Sequence, residues 1–231
     1  MCGAATVDAT SNAVPEPARR RPPGRAPLTR EEFRRATDVS RETLARFDAY
    51  VAVLGKWQRR INLVSAASLA DVWRRHLLDS AQLRPPVPES CGRLVDLGSG
   101  AGFPGLALAI LGVAGVELIE SDERKCAFLA EAARATGAAV TIHRARIESL
   151  PEVRADVITA RACAPLAKLL GYAARFRGPD TRCLFLKGAD IDKELTEATK
   201  YWKLRCTRVP SQSDPTGIIL QVHEFAREPR P

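Results

Sequence analysis

The sequence predicts an α/β fold: a mostly parallel, doubly wound sheet of seven strands with an N-terminal helical extension. Three observations predict it. Short apolar runs alternate with helix-length amphipathic stretches from residue 93 onward. A glycine-rich turn follows the first of those runs, and residues 28–84 carry helical periodicity without a strand pattern. The 231 residues suffice for one substantial core with a small appendage.

The elements follow in order. Residues 1–27 are rich in Ala, Pro and Arg, with R-R-R-P-P-G-R-A-P at 19–27, and are expected to be a disordered basic tail. Thr29 followed by Glu32 has capping-box spacing and starts a helix. A second helix starts near Ser40, with Leu44, Phe47, Val51, Leu54, Trp57 and Ile61 along one apolar face. A third runs from about Ser68 to Leu83, and P-P-V-P at 85–88 closes this helical cap of residues 28–84. From residue 91 to 231 a second unit is expected. Its strands read R-L-V-D-L at 93–97, V-E-L-I-E at 116–120, V-T-I-H-R at 140–144, D-V-I-T-A at 156–160 and C-L-F-L-K at 183–187, with two more near 205–209 and 217–225. Helices are expected after the glycine turn and around 123–136, 164–175 and 191–202.

Composition excludes several classes. With 45% apolar and 27% charged residues the chain is neither disordered throughout nor a coiled-coil rod. Its longest nearly apolar run, about 105–116, is too short to span a bilayer, so no membrane is expected. Lys and Arg number 35 against 27 Asp and Glu, a net charge of +8 that slightly favours a polyanionic partner. The six cysteines show no C-x-x-C spacing and no apolar leader precedes them. They read as reduced thiols of a cytoplasmic protein, and with only three histidines no metal site is expected.

The strongest motif is D-L-G-S-G-A-G-F-P-G at 96–105, on the turn after the first strand. Glycines there let the backbone approach a ligand at the carboxyl end of the strand. Dinucleotide enzymes prefer G-x-G-x-x-G, whereas here the third glycine comes one residue early. Asp96 is placed to hold the loop or accept a hydrogen bond. Glu120 ends the second strand, where an acid binds ribose hydroxyls. After the fourth strand the chain reads T-A-R-A-C-A-P, 159–165, with Arg161 and no carboxylate. An acceptor that must lose a proton would want a base there; a ring nitrogen with a free lone pair would not.

The acidic–x–G–x–G–x–G loop resembles the S-adenosylmethionine loop of Rossmann-like class I methyltransferases. The longer segment L-V-D-L-G-S-G-A-G-F-P-G at 94–105 is similar to the signature of the GidB (RsmG) family of bacterial small-subunit rRNA guanine-N7 methyltransferases. W-Q-R-R-I-N-L-V at 57–64, H-L-L-D-S at 76–80, A-R-I-E at 145–148, T-A-R-A at 159–162 and L-K-G at 186–188 extend the resemblance over about residues 28–226. It implies a monomeric enzyme that methylates N7 of a guanine in 16S rRNA or the small ribosomal subunit, with S-adenosylmethionine as cofactor. It places Gly98, Phe103 and Arg161 at the cofactor, with Ile147 and Glu148 at the adenine edge. Gly100 falls on the same loop. Two departures touch the helical contacts: Gln58 and Arg59 follow Trp57 where the family reads W-N-K, and Val64 stands for Thr.

Arg161 is expected to position substrate rather than move a proton, because Arg stays protonated. Phe103, a bulky residue inside a glycine loop, is expected to cover the cofactor. Arg59, Asn62 and Lys187 are candidate RNA contacts, Asn62 being equally a helix-end cap and Lys187 nearly as plausible as a solvated strand end. Arg60, Arg74 and Arg75 could also track phosphate. His76 and Asp79, three apart, are expected to link helical cap and sheet. The competing readings are a methyltransferase for a protein or another RNA, a non-catalytic assembly factor that keeps the cofactor as a ligand, and a nicotinamide dehydrogenase, which the glycine spacing disfavours.

Overall fold

A computed structural model of the chain describes residues 6–8 and 26–228. The rest of the expected tail, 1–5 and 9–25, lies outside the described residues.

The N-terminal helices form where their caps predict. Helix α1 (Arg30–Thr37) has the full capping box, Glu32 N–H donating to the Thr29 hydroxyl and Thr29 N–H to the Glu32 carboxylate. Helix α2 (Arg41–Gln58) is capped by Ser40. It buries Leu44, Phe47 and Leu54 as the periodicity requires, and also Tyr50, which an apolar stripe does not pick out. The expected third helix is instead broken. Helix α3 (Ala66–Leu69) is followed by a π-helical segment, Trp73–Leu78, and the short α4 (Asp79–Ala81). The widened π turns leave the Arg75 carbonyl to accept from outside the helix, a use described below.

The sheet has eight strands in the order β1-β7-β8-β6-β5-β2-β3-β4, one more than expected. Strands β2 (Leu94–Leu97), β3 (Val116–Glu120), β4 (Val140–Arg144), β5 (Ala155–Arg161) and β6 (Arg177–Lys187) run parallel. Strand β8 (Ile218–Arg227) pairs antiparallel with β6, and β7 (Trp202–Pro210) pairs antiparallel with β8 on its far side. The eighth strand, β1 (Thr6–Asp8), pairs antiparallel with the β7 edge. The disordered-tail reading is therefore corrected at 6–8 and again at 26–27, where the Ala26 carbonyl accepts from Arg74.

Helices cover both faces. On one, α1, α2, α4, α5 (Gly105–Ile110) and α6 (Glu123–Thr136) share a single apolar cluster with β2 and β3. On the other, α7 (Leu166–Ala173) and α8 (Ile191–Ala198) pack on β5, β6, β7 and β8. The N-terminal helices thus join the main core directly: Tyr50 and Leu54 belong to the same cluster as Leu106, Leu118 and Phe128. Among the described residues no helix is long and apolar enough to cross a membrane.

Candidate functional site

The strand order fixes where a ligand goes. From β2 the chain proceeds outward through β3 and β4, then returns to the other side of β2 for β5 and β6. The crevice of an open parallel sheet lies at this switch, beyond the carboxyl ends of β2 and β5. The glycine loop leaves β2 there, and Arg161 ends β5 beside it. Just after Arg161, Ala162 takes a left-handed φ of 50°, which turns the chain sharply away from the strand.

The loop's glycines differ in purpose. A methyl group at Gly102 would lie 2.6 Å from the Tyr50 hydroxyl oxygen and 2.9 Å from Leu106 Cβ. One at Gly98 would lie 2.6 Å from Cys163 Sγ. Gly100, with φ 57°, would meet only the Gly98 carbonyl at 3.8 Å, so this is the side of the loop left open. Tyr50 holds the loop from behind, its hydroxyl donating to the Ala101 carbonyl.

Glu120 lies on the loop's other flank. Its Oε2 accepts the Gly100 N–H at 2.9 Å and its Oε1 the Asp122 N–H at 2.8 Å, which leaves each oxygen a lone pair for a ligand hydroxyl. Ala145 N–H donates to the Glu120 carbonyl at 3.0 Å. That bond brings the 3-10 turn Ile147–Ser149 alongside, with Ile147 buried and Glu148 exposed, its carboxylate accepting from the Tyr172 hydroxyl. An open glycine, a carboxylate with spare acceptors and a flanking backbone turn suit a nucleoside with a polar ribose edge.

Two of the cofactor candidates, Asp96 and Phe103, have buried side chains. Asp96 lies wholly buried beneath the loop, where Thr159 donates to its Oδ1 at 2.7 Å. Burial pushes its pKa up to about 6. It supports the loop and does not face the crevice. Phe103 also points inward, 3% exposed. Its ring stacks on His76 with centroids 4.8 Å apart and packs on Tyr50 at 5.1 Å, while the Arg161 guanidinium sits 5.0 Å over it. The Phe103 ring is thus packed between the helices and Arg161.

Arg161 is the hub of a polar network. Its Nη1 donates to the Arg75 carbonyl at 3.1 Å and to His76 Nδ1 at 2.7 Å, and lies 3.6 Å from Asp79 Oδ2. Asp79 Oδ1 also accepts from Ser213 at 2.5 Å and Gln82 at 2.9 Å, and Arg75 pairs with Asp214, so the 211–217 loop is tied in. The link expected of His76 and Asp79 is present and runs through Arg161. Burial raises the Asp79 pKa, opposed first by Arg161. Burial lowers that of Arg161, opposed first by Asp79. Burial beside Arg161 and Arg75 lowers His76 to about 3, so its ring is neutral.

The RNA candidates separate. Lys187 is corrected: its side chain is 7% exposed and its amine is bonded to Glu194 at 2.7 Å and the Ala164 carbonyl at 3.0 Å. Glu194, seven residues further on in α8, balances its charge. Arg74 is likewise buried against Asp71, and Arg75 is committed to Asp214. Arg59 and Asn62 are exposed around the end of α2. The capping reading of Asn62 passes to Gln58, whose Oε1 accepts from Leu63 and Val64 N–H and whose amide donates to the Val64 carbonyl. Tyr50 and Gln58 are the contributors that sequence reasoning missed. Gln58 was visible only as a departure from the family pattern.

A family model described as GidB, rRNA small subunit methyltransferase G, matches residues 43–214. The chain belongs to that family. The Ribosomal RNA small subunit methyltransferase G of Rhodospirillum rubrum is 54% identical over 200 residues, 87% of this chain and 100% of the relative. That of Paramagnetospirillum magneticum is 51% identical over 197 residues, 85% and 96% of the two chains. Solved structures support the fold. A TehB-like SAM-dependent methyltransferase from Corynebacterium glutamicum aligns with TM-score 0.51 at 17% identity, covering 75% of this chain and 98% of its own. A mutant of MtNAS in complex with S-adenosylmethionine aligns with TM-score 0.53 at 14% identity, covering 84% of each. The seven-stranded, mostly parallel core is common to the reading from sequence and the structure; β1 is an addition at its edge.

Proposed function

We propose that this chain transfers a methyl group from S-adenosylmethionine to N7 of a guanine in the 16S rRNA of the bacterial small ribosomal subunit, in the cytoplasm. It is an S-adenosylmethionine-dependent rRNA methyltransferase, and the acceptor atom is the inference added here. One observation carries that inference: among the described residues, each acid at the crevice is buried away from it or holds a protein partner, and the imidazole lone pair is taken. Asp96 is wholly buried beneath the loop, its Oδ2 without a partner but shut off from the crevice; Glu120 holds the loop and points its remaining acceptors at the ribose edge; Asp79 pairs with Arg161; and the Nδ1 lone pair of His76 is taken by Arg161. A site without a free base suits an acceptor that reacts through a lone pair and loses no proton, as guanine N7 does.

When bound, the cofactor supplies a methyl carbon made electrophilic by its sulfonium. The chain's own residues position and shield. The 98–102 loop and the Ile147–Ser149 turn would hold the nucleoside, with Glu120 taking ribose hydroxyls. Arg161 would orient the incoming nucleotide through the edge of its guanidinium not spent on Arg75 and His76. Holding the reactants at near-attack geometry is then the main source of rate. The narrow major groove of A-form RNA hides its bases, so the target is an exposed or extruded guanine. Exposed Arg59, Arg60 and Asn62 are the remaining RNA-contact candidates at the helical end of the molecule.

The test is mass spectrometry of digested small-subunit RNA after incubation with the protein and labelled S-adenosylmethionine, using naked RNA and assembled subunits that lack the modification. Labelled 7-methylguanosine is the expected product. Label in another nucleoside would overturn the acceptor atom. Binding of S-adenosylmethionine without label in any nucleoside would overturn the rRNA reading and favour a protein acceptor or a non-catalytic assembly role.

A further inference from the structure

His76 takes no part in the reading above except as a partner of Arg161, yet its surroundings are exacting. The ring is buried and stacked nearly parallel to Phe103, with an interplanar angle of 17°. Nδ1 lies 2.7 Å from Arg161 Nη1, and Nε2 lies 3.0 Å from the Ser68 hydroxyl. A guanidinium nitrogen can only donate, so Nδ1 must be the unprotonated nitrogen and Nε2 must carry the hydrogen. Ser68 accepts that hydrogen and passes its own to the Ser65 carbonyl at 2.9 Å. The chain of bonds therefore has one direction, Arg161 to His76 to Ser68 to Ser65.

The consequence falls on Arg161. Three acceptors, the Arg75 carbonyl, His76 Nδ1 and Asp79 Oδ2, converge on Nη1. Among the described residues Nε and Nη2 have no partner, and the side chain keeps 19% of its exposure. One corner of the planar group is fixed and the opposite edge, two parallel N–H donors, stays open. That edge is the part of an Arg that binds a carboxylate, a phosphate or a pair of base acceptors.

We propose that His76 is a positioning residue of the transfer site: the Nδ1 lone pair, aimed by Nε2–H donation to Ser68, pins Nη1 of Arg161 and leaves the guanidinium's other edge open to the RNA. The proposal rests on the reading of Arg161 as a substrate-orienting residue. Asp79 alone could not do this work. At 3.6 Å it supplies charge, while the short directed bond that sets the plane of the group comes from His76.

Two amide substitutions separate the two ring nitrogens. In His76→Asn the side-chain carbonyl falls near the place of Nδ1 and keeps an acceptor for Arg161. In His76→Gln the amide falls near the place of Nε2 and keeps the bond to Ser68 but not the one to Arg161. Both are compared with wild type and Arg161→Ala in steady-state methylation of rRNA at saturating S-adenosylmethionine, with thermal melts confirming folding. His76→Gln is expected to lose about 10- to 100-fold in kcat/KM for RNA, the usual cost of one charged hydrogen bond, and His76→Asn to recover about tenfold of that loss. The affinity for S-adenosylmethionine is expected to stay within about threefold of wild type in both, since the pinned bond serves the RNA.

Equal losses in the two variants, or a His76→Gln enzyme as fast as wild type beside a crippled Arg161→Ala, would overturn the role of His76. A fully active Arg161→Ala would instead overturn the reading of Arg161 on which the proposal rests. A measurement on the unmodified protein covers the case in which a variant fails to fold. The chain has only three histidines, so nitrogen-15 chemical shifts of labelled imidazoles can be assigned to His76. A neutral ring protonated on Nε2 is expected, and a ring protonated on Nδ1 would refute the bond to Arg161 outright.

Discussion

Replacing Gly102 by alanine should cost far more stability than the same change at Gly100, although both glycines sit in the same loop with positive φ. The backbone cost is shared: φ is 82° at Gly102 and 57° at Gly100, and an L-residue there loses roughly 1–2 kcal/mol. The space is not shared. At Gly102 the new methyl would stand 2.6 Å from the Tyr50 hydroxyl, 2.9 Å from Leu106 Cβ and 3.1 Å from a Leu129 methyl. Tyr50 cannot swing aside without giving up its bond to the Ala101 carbonyl, and Leu106 and Leu129 are both buried. Overpacking of this kind adds roughly 1–3 kcal/mol, so Gly102→Ala should lose about 2–5 kcal/mol in all. Against the 5–15 kcal/mol typical of a domain, that is a large fraction. Gly100→Ala should lose only its backbone share, yet bind S-adenosylmethionine about tenfold more weakly because its methyl occupies the open side of the loop. Urea unfolding of both variants at unchanged m reads the first difference, and calorimetric titration reads the second. Equal midpoints for the two variants would refute the packing argument; undiminished affinity in Gly100→Ala would refute the placement of the ligand.

Tyr50→Phe strands the buried Ala101 carbonyl and should cost roughly 1–3 kcal/mol, measured by thermal or urea melts, with a looser cofactor loop seen as faster amide exchange at 99–102. Lys187→Met should lower stability by roughly 1–3 kcal/mol, discounted because Glu194 keeps part of its solvent, while the salt dependence of rRNA binding stays as in wild type; a shallower salt slope would restore Lys187 as a phosphate contact. Two buried groups act oppositely on stability below neutral pH. His76, lowered from 6.5 to about 3, withdraws stability as pH falls through that window, because the unfolded chain takes up the proton first. Asp96, raised from 3.8 to about 6, returns stability as pH falls from 6 to 3.8, because the native state takes it up first. Asp96→Asn removes the second effect, so its stability relative to wild type should improve by roughly 3 kcal/mol between pH 3.8 and 6, read from urea midpoints across that range.

What the sequence made legible follows period and chemistry. Four of the five parallel strands hold buried apolar runs, β4 at the edge being the exception, and such runs announce themselves; the Thr29–Glu32 cap and the glycine loop are fixed by local bonds between near neighbours. Most failures share a cause, because they depend on contacts that the local pattern does not record. Phe103 was read by its position in the loop, but its ring follows the apolar surface offered by Tyr50 and His76. Lys187 was read as a strand-end cation, but α8 folds Glu194 back onto it. Tyr50 was passed over because its ring belongs to the apolar face while its hydroxyl belongs to the loop. The helix expected over 68–83 is interrupted by a turn at Ala70–Asp71 and widens into π turns over Trp73–Leu78, and periodicity carries no sign of either. Strand β1 lies inside a stretch whose composition reads as tail, and a three-residue strand has too little pattern to stand out.

These distant contacts make the N-terminal helices part of the candidate site. A column of rings, Tyr50, Phe103 and His76, runs from α2 through the glycine loop to the π-helical segment, and Arg161 lies over its middle member. Tyr50 sets the loop's backbone while His76 sets the guanidinium, and Phe103 joins the two through its faces. A shift of α2 against the sheet would therefore disturb the glycine loop and Arg161 together. Removing the helices would not yield a smaller methyltransferase with weaker RNA binding. It would leave Leu106, Leu118 and Phe128 without their covering and Arg161 without the acceptors that hold its plane. The helical segment does for this enzyme what a rigid second layer does for any precise site: it fixes the side chains that touch the ligands, so that binding energy is spent on orientation.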